Sequence, residues 1–238
     1  MSLSPSAPRH DRGGQHWRSI PVWTSTSSDP NVSNVAQPIL TRVLDIVGAS
    51  LILVAALPFL IILAVLLLID SPGPLFFAQQ RIGQGGRAFP CLKFRTMCRN
   101  ADAALQIHLS TSPSARAEWA RDHKLRNDPR VTRLGKIIRK LSLDEFPQLI
   151  NILRGEMSLV GPRPIIRSEA ARYGRYFEEY CMVRPGLTGL WQVSGRNNVT
   201  YRRRVSLDCY YVRNKTVMMD IMILFRTIPV VLGAKGSY

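Results

Sequence analysis

The sequence has few of the features that mark secreted proteins or metal-dependent hydrolases. Its four cysteines and four histidines are scattered over 238 residues, with no C-x-x-C pair and no H-x-x-x-H spacing. These absences argue against a disulfide framework, a zinc knuckle and a histidine-based hydrolytic metal site. Free thiols in a reducing compartment are therefore expected.

Acidic residues are also scarce. The chain has 16 Asp and Glu against 32 Lys and Arg, which gives a formal net charge of +16. This excess predicts a polyanionic partner, which is nucleic acid, an anionic membrane face or a phosphorylated substrate. With 46% hydrophobic residues the chain is not disordered as a whole, and its length suits one domain.

Apolar periodicity is missing from the first 37 residues, which are rich in Ser, Pro, Thr and Asn. Residues 1–37 are therefore expected to form a disordered tail. They do not resemble a secretory signal peptide, because no apolar stretch follows their basic residues.

Long hydrophobic runs are limited to one. Residues 46–69 carry no charge and are long enough to cross a bilayer, but Pro58 lies at their midpoint. Because proline removes a backbone hydrogen bond, a kink is expected, and a straight span or a Pro-broken hairpin within one leaflet both fit. Only four of the 32 basic residues precede the run, so the positive-inside bias predicts a cytoplasmic body.

The rest of the chain predicts a mainly α fold with a small β-hairpin, an α+β class. Two short apolar segments flank Gly83-Gln-Gly-Gly86, which favours a hairpin turn over a phosphate-binding loop. The final apolar segment fits either an interfacial helix or a buried core helix. Helices are predicted at residues 101–109, 114–125, 133–140 and 217–232.

The most suggestive group of residues is Leu141-Ser-Leu-Asp-Glu145. Ser142 and Glu145 have the spacing of a capping box, which accounts for both of them but leaves Asp144 unexplained. Two adjacent carboxylates at a helix start can serve an enzyme that acts on phosphate. One can attack phosphorus, and the other can help to hold a divalent cation.

Arginines recur in turn-rich segments, as Arg163 between two prolines, Arg184 before Pro-Gly and Arg196 after Gly195. A guanidinium on a stiff turn is a good ligand for an oxyanion. Any one of them fits an ordinary loop arginine, but three such loops favour a phosphate site.

Eight short motifs together resemble one family, the bacterial sugar transferases, which are monotopic polyprenyl-phosphate phosphoglycosyl transferases. The similarity runs from about residue 40 to the C-terminus and is greatest to the members that start exopolysaccharide synthesis with galactose or glucose phosphate. The motifs are Thr41-Arg-Val-Leu-Asp45, the apolar run with Pro58, Asp70-Ser-Pro-Gly-Pro-Leu-Phe-Phe77, Lys93-Phe-Arg-Thr-Met97, Leu141-Ser-Leu-Asp-Glu145, Val160-Gly-Pro-Arg-Pro164, Arg184-Pro-Gly-Leu-Thr-Gly189 and Gly195-Arg-Asn197.

The resemblance implies a two-step transfer from a UDP-sugar to undecaprenyl phosphate. Asp144 would attack the β-phosphorus and release UMP, and the lipid phosphate would then take the sugar phosphate from the aspartate. Asp144 and Glu145 would be catalytic and hold Mg²⁺. The phosphate-binding residues implied are Lys93, Arg95, Arg139, Arg163, Arg184 and Arg196.

The resemblance also implies a membrane arrangement. Residues 38–70 would form a re-entrant helix broken at Pro58, and residues 71–238 a catalytic domain on the cytoplasmic face of the bacterial inner membrane, with interfacial amphipathic helices. Family members commonly have Ser before the proline, where this chain has Leu57.

The alternative is a non-enzymatic basic domain, tethered by one span, that binds anionic lipid or nucleic acid. It explains the charge but not Asp144 and Glu145 beside arginine turns, and no nucleic-acid-binding motif is present. A UDP-sugar, undecaprenyl phosphate and membrane lipids are therefore the expected partners, with no nucleic acid, and a homo-oligomer is left open.

Overall fold

The computed structural model describes residues 39–122, 125, 127–195 and 199–233, and the tail expected at 1–37 lies outside them. The described residues are mainly helical with two small sheets, which confirms the expected α-rich fold. The helices are α1 (Ile39–Asp70), α2 (Ala101–Thr111), α3 (Pro113–Asp122), α4 (Arg133–Lys140), α5 (Gln148–Arg154), α6 (Arg167–Tyr173), α7 (Phe177–Cys181), α8 (Leu190–Val193), α9 (Tyr201–Asn214) and α10 (Val217–Leu232). The strands are β1 (Phe76–Ile82), β2 (Ala88–Phe94), β3 (Ser158–Val160) and β4 (Gly186–Thr188).

The apolar run forms one continuous helix, α1, which begins before it at Ile39. At about 1.5 Å per residue its 32 residues extend about 48 Å, and within the described residues it alone is long and apolar enough to cross a membrane. Helical structure continues through Pro58, and the chain has no non-helical interruption there. The re-entrant path remains a prediction.

One face of α1 packs against the rest of the protein along nearly its whole length. The residues on this face recur every three or four positions, the spacing of a single helical stripe, and the opposite face is apolar and exposed. Both ends of α1 are therefore fixed to the same domain. The stripe consists of Thr41, Asp45, Ala49, Leu53, Ala56, Leu60, Leu63 and Leu67.

Polar contacts hold the first turns of α1. Arg42 donates from Nη1 to the carbonyl of Ile152 at 2.7 Å and from Nη2 to that of Leu153 at 3.0 Å, near the end of α5. Buried Asp45 accepts through one oxygen, Oδ1, from Ser158 Oγ and from the Leu159 amide, each at 2.8 Å. Because these partners lie in the interior, α1 is part of the folded domain.

Strands β1 and β2 form the predicted antiparallel hairpin, with Phe77 opposite Lys93 and Arg81 opposite Phe89. The glycine cluster makes its turn, where Gly85 and Gly86 have φ of 66° and 72°. These values lie in the left-handed region that glycine adopts without strain, so the hairpin reading of this loop is confirmed.

A second sheet, parallel and of two three-residue strands, was not predicted. Strand β3 pairs with β4 so closely that a Cβ built on Gly186 would lie 2.0 Å from the Gly161 nitrogen, and one on Gly189 2.2 Å from the Gly161 carbonyl oxygen. Three glycines from two of the sequence motifs therefore serve the contact between two backbones.

The predicted helices at 133–140 and 217–232 appear as α4 and α10 with those bounds, each with a threonine at its N-cap. Helix α10 has features of both a core helix and an interfacial helix, because Asp220 and Ile223 are buried while Met218, Phe225 and Ile228 are exposed. An apolar helix with one exposed face is typical of a membrane interface.

Three aromatic residues of the C-terminal third differ in burial. Trp191 and Tyr211 are buried, so they are core residues, whereas Tyr210 is exposed. Arg204 lies over the Trp191 ring at 4.5 Å from its centroid, so this member of the basic run 202–204 is packed against an aromatic ring. All four cysteines are free, as expected.

Candidate active site

Asp144 and Glu145 lie on a short 3-10 turn, Leu143–Glu145, between α4 and α5. Ser142 lies just before them. Among the residues that the structure describes, it is the one non-glycine residue with a positive φ, at 56°. The expected capping box is wrong, because the Ser142 side chain makes no capping hydrogen bond and Glu145 reaches elsewhere. Left-handed backbone costs a non-glycine residue about 1–2 kcal/mol, so the turn that presents Asp144 is strained.

Lys93 of β2 joins the two carboxylates. Its Nζ donates to Glu145 Oε1 at 2.8 Å and to Asp144 Oδ2 at 3.4 Å. Asp144 is 9% exposed, so most of its side chain is shielded from water. The hairpin thus places a cation beside both acidic groups.

Arg163 approaches the same cluster from the loop after β3. Its Nη2 lies 3.5 Å from Glu145 Oε1. The loop is held by Arg81, which donates from Nη1 to the Pro164 carbonyl at 3.0 Å, and by the Ile82 amide, which donates to the Ile165 carbonyl at 2.9 Å. The position of Arg163 is therefore set by the end of β1.

Two other predicted phosphate-binding residues, Arg139 and Arg95, have different surroundings. Arg139 donates from Nε to Thr96 Oγ1 at 2.7 Å, and its charge acts on Asp144. Arg95 donates to the Ser71 carbonyl in the turn after α1. The structure therefore brings Arg139 to the carboxylates and gives Arg95 a contact outside them.

The structure does not bring Arg184 to the carboxylate pair. Its charged neighbours include Arg42 and Asp45, near the start of α1, and Lys215. Arg196 lies outside the described residues. Of the six predicted phosphate-binding residues, Lys93, Arg139 and Arg163 therefore surround the two acids.

The electrostatic environment separates the two acids. Burial raises the pKa of Asp144, the negative charge of Glu145 raises it further, and Lys93 and Arg139 oppose this shift. Burial also acts to raise the pKa of Glu145, but Lys93 and Arg163 outweigh it and lower that pKa to about 2. Glu145 is thus firmly anionic, while Asp144 is the more basic of the two carboxylates.

A narrow pocket opens beside Glu145. It combines cations with small and uncharged side chains, as a site for a phosphate ester requires. Arg81, Cys91 and Gln148 were not singled out from the sequence, although Arg81, Cys91 and Lys93 lie on the same face of the hairpin by strand alternation. The lining residues are Arg81, Cys91, Lys93, Glu145, Gln148, Arg163, Pro164, Gly186 and Leu187.

The described residues contain no cluster of three or more His, Cys, Asp and Glu side chains. The two adjacent carboxylates nevertheless fit Mg²⁺, because this ion takes oxygen ligands and is usually held by one or two carboxylates together with substrate phosphates and water. A magnesium ion at this place would therefore depend on a phosphate-bearing substrate for part of its coordination.

Comparison with known proteins decides the family. The family model described as bacterial sugar transferase matches residues 36–234. The chain belongs to the bacterial sugar transferase family. All of the candidate site described above falls inside the matched residues.

Several curated relatives of this sugar transferase are similar over most of its length. It is 51% identical over 208 residues to the UDP-galactose-lipid carrier transferase of Erwinia amylovora, and 50% identical over 208 residues to the undecaprenyl-phosphate galactose phosphotransferase of Salmonella typhimurium. These alignments cover 87% of this chain but 43% and 44% of the relatives, so the chain spans less than half their length.

A shorter relative is covered almost completely. The exopolysaccharide production protein ExoY of Sinorhizobium fredii is 48% identical over 197 residues, which is 83% of this chain and 87% of that protein.

Proposed function

We propose that this sugar transferase moves a hexose 1-phosphate, galactose or glucose phosphate, from a UDP-sugar to undecaprenyl phosphate and releases UMP. This would be the first membrane step of exopolysaccharide synthesis. The names of two relatives specify galactose and a lipid carrier or undecaprenyl phosphate, and that of a third specifies exopolysaccharide production.

The observation that carries the proposal is the asymmetric pair of carboxylates on one strained turn. Asp144, the more basic acid, is the nucleophile. One of its carboxyl oxygens forms a bond to the β-phosphorus of the UDP-sugar, and the bond from that phosphorus to the bridging oxygen breaks, so UMP leaves with the bonding electrons. The product is a sugar-phosphoryl aspartate.

The second step reverses the first with a different nucleophile. An oxygen of undecaprenyl phosphate bonds to the same phosphorus, the bond to Asp144 breaks, and the aspartate carboxylate is restored. The lipid then carries a diphosphate-linked sugar, and the numbers of phosphorus–oxygen bonds before and after are equal.

Lys93, Arg139 and Arg163 make an attack of one anion on another feasible. Their charges lie around the two acids and would balance the negative charge of the diphosphate in the transition state. Because the Arg163 loop is fixed by Arg81, little reorganisation is needed when substrate enters.

Mg²⁺ is proposed as the cofactor, held by Glu145 and Asp144. When bound, it would neutralise charge on the diphosphate and orient it. The Glu145 carboxylate suits this role because its lowered pKa keeps it ionised through the neutral range.

We further propose that the protein is monotopic, with its catalytic domain on the cytoplasmic face of the bacterial inner membrane. The support is that both Asp45 and Leu67, near opposite ends of α1, pack against the same domain. A helix that crossed the bilayer alone would carry its first turns away from that domain. A cysteine placed near residue 30 should therefore react with a membrane-impermeant reagent only from the cytoplasmic side, and periplasmic labelling would contradict this topology.

The deciding experiment for the reaction is nucleotide release with purified protein, undecaprenyl phosphate, Mg²⁺ and UDP-galactose or UDP-glucose. UMP should appear with one sugar, and Asp144→Asn should reduce its formation to background, because a neutral amide is a poor nucleophile toward phosphorus. Asp102→Asn, at an exposed site on α2, is the matched control. Release of UDP would instead indicate simple glycosyl transfer, and no release across a wider panel of sugars would favour the tethered binding domain.

A further inference from the structure

Large apolar side chains flank the carboxylate turn on its hairpin side. Phe77 lies directly opposite Lys93 in the antiparallel register, so the two side chains share a face of the hairpin and stand next to each other. Phe77 is 52% exposed, while Lys93 contacts both carboxylates. The neighbouring Phe76 stacks on Phe94, with ring centroids 5.6 Å apart.

Helix α4 supplies exposed apolar side chains on the other side. Ile137 and Leu141 are one turn apart on the same helical face and are 57% and 41% exposed. Leu141 is the C-cap residue of α4 and lies three residues before Asp144. The adjacent Ile138 is buried against the second half of α1, so this exposed face lies beside the membrane helix.

Cations lie near both apolar sides. Lys93 stands next to Phe77, and Arg139 lies on another face of α4 from Ile137 and Leu141, from which its charge lowers the pKa of Asp144. Phe94 and Ile138 pack together with Leu60, Leu63 and Leu67 of α1, so both the hairpin and α4 adjoin that helix. An amphiphile with an anionic head and a long apolar tail matches this order of groups.

We infer that Phe77, Ile137 and Leu141 form the surface on which the isoprenoid tail of the acceptor lies as its phosphate reaches Asp144. This inference rests on the proposed function, which supplies the lipid phosphate as acceptor. The tail runs outward from the carboxylate turn toward the exposed apolar face of α1.

The UDP-sugar fits a different part of the site better. The pocket beside Glu145 is lined by Arg81, Gln148 and Arg163, which are polar and suited to a diphosphate and a nucleotide. Donor and acceptor thus use different surfaces around Asp144, and the acceptor phosphate reaches the covalent intermediate after UMP has left.

The test is binding of undecaprenyl phosphate without donor, to protein in nanodiscs of neutral lipid. The double variant Phe77→Ser/Leu141→Ser should bind about tenfold more weakly than the unmodified protein, because much of the apolar contact with the tail is lost. The double variant should lose less affinity for geranyl phosphate, which has the same head and a short tail, than for undecaprenyl phosphate.

The control variant is Phe225→Ser on α10, where the side chain is 69% exposed and away from the carboxylate turn. This variant should weaken the binding of undecaprenyl phosphate and of geranyl phosphate equally or not at all. Phe225→Ser could instead weaken the binding of undecaprenyl phosphate more than that of geranyl phosphate, by as much as the double variant does. This result would show that these residues only hold the protein to bulk lipid, and it would overturn the inference. Unchanged binding by the double variant would also overturn it.

Kinetics separates this inference from the proposed function. With UDP-sugar alone, the double variant should release the same burst of UMP as the unmodified protein, while its KM for undecaprenyl phosphate rises. Loss of that burst in the variant alone would mean a damaged donor site and would overturn the assignment. Absence of UMP from the unmodified protein would refute the proposed function, and the donor-free binding result would still decide the acceptor surface.

Discussion

Replacing Asp45 tests whether α1 is part of the folded domain. In Asp45→Ala, the Ser158 hydroxyl and the Leu159 amide, both buried, lose their acceptor. An unsatisfied buried donor costs about 1–3 kcal/mol, so the free energy of unfolding should fall by about 2–6 kcal/mol. This is a large part of the roughly 5–15 kcal/mol that stabilises a typical domain.

Asp45→Asn should be milder. Both hydrogen bonds end on the same oxygen, Oδ1, and an amide carbonyl can accept them in the same place. The loss should be about 1–3 kcal/mol, because neutral hydrogen bonds are weaker than those to a charged acceptor. Asp70→Ala, at the exposed far end of α1, should change stability by less than about 0.5 kcal/mol.

Thermal unfolding in one fixed detergent measures the effect, since each kcal/mol shifts Tm by about 2–4 °C for a chain of this size. Limited proteolysis gives a second readout, with α1 cut early in Asp45→Ala. If Asp45→Ala unfolded at the same temperature as Asp70→Ala, the polar attachment of α1 would have no energetic weight, and the reasoning would be refuted.

Two further predictions concern the catalytic domain. Burial raises the pKa of Asp208 to about 7 although Tyr173 donates to it. This group should therefore make the unmodified protein lose stability as pH rises from about 4 through 7, and Asp208→Asn should make that dependence shallower in thermal unfolding at several pH values; equal slopes would contradict it. Arg81→Met should lower kcat/KM about tenfold, because the Pro164 carbonyl loses its donor and Arg163 is less well held. Arg81→Lys should restore part of the activity in the same nucleotide assay, and full activity in Arg81→Met would show that the Arg163 loop needs no such support.

Local signals predicted much of the helical structure. Helices α4 and α10 have the predicted bounds because threonines at 132 and 216 cap them, each accepting from a backbone amide in the first turn. The hairpin was also predictable, since glycines separate two apolar segments. These signals act within a few residues and therefore can be read from a single sequence.

Non-local contacts were not predictable. The pairing of β3 with β4 involves three residues from each strand, separated by more than twenty positions, and their glycines read as turn residues. Arg184 looked equivalent to Arg163, because both lie in turn-rich motifs, but the fold places it near the start of α1.

The site residues illustrate the same limit. Ser142 and Glu145 have capping-box spacing, but the attraction of Lys93 and Arg163 for the Glu145 carboxylate outweighs a local cap. Arg81 was missed because nothing in its sequence neighbourhood shows that it faces the Pro164 carbonyl, 83 residues away.

The stripe of α1 that packs on the domain has a consequence for how the protein folds. One side of the helix completes a water-excluding core, and the other offers only apolar side chains to its surroundings. If α1 lies in a membrane as proposed, the same helix both completes the core of the domain and contacts lipid, so the two kinds of burial depend on each other. Extraction into a poor detergent should then unfold the catalytic turn together with the helix.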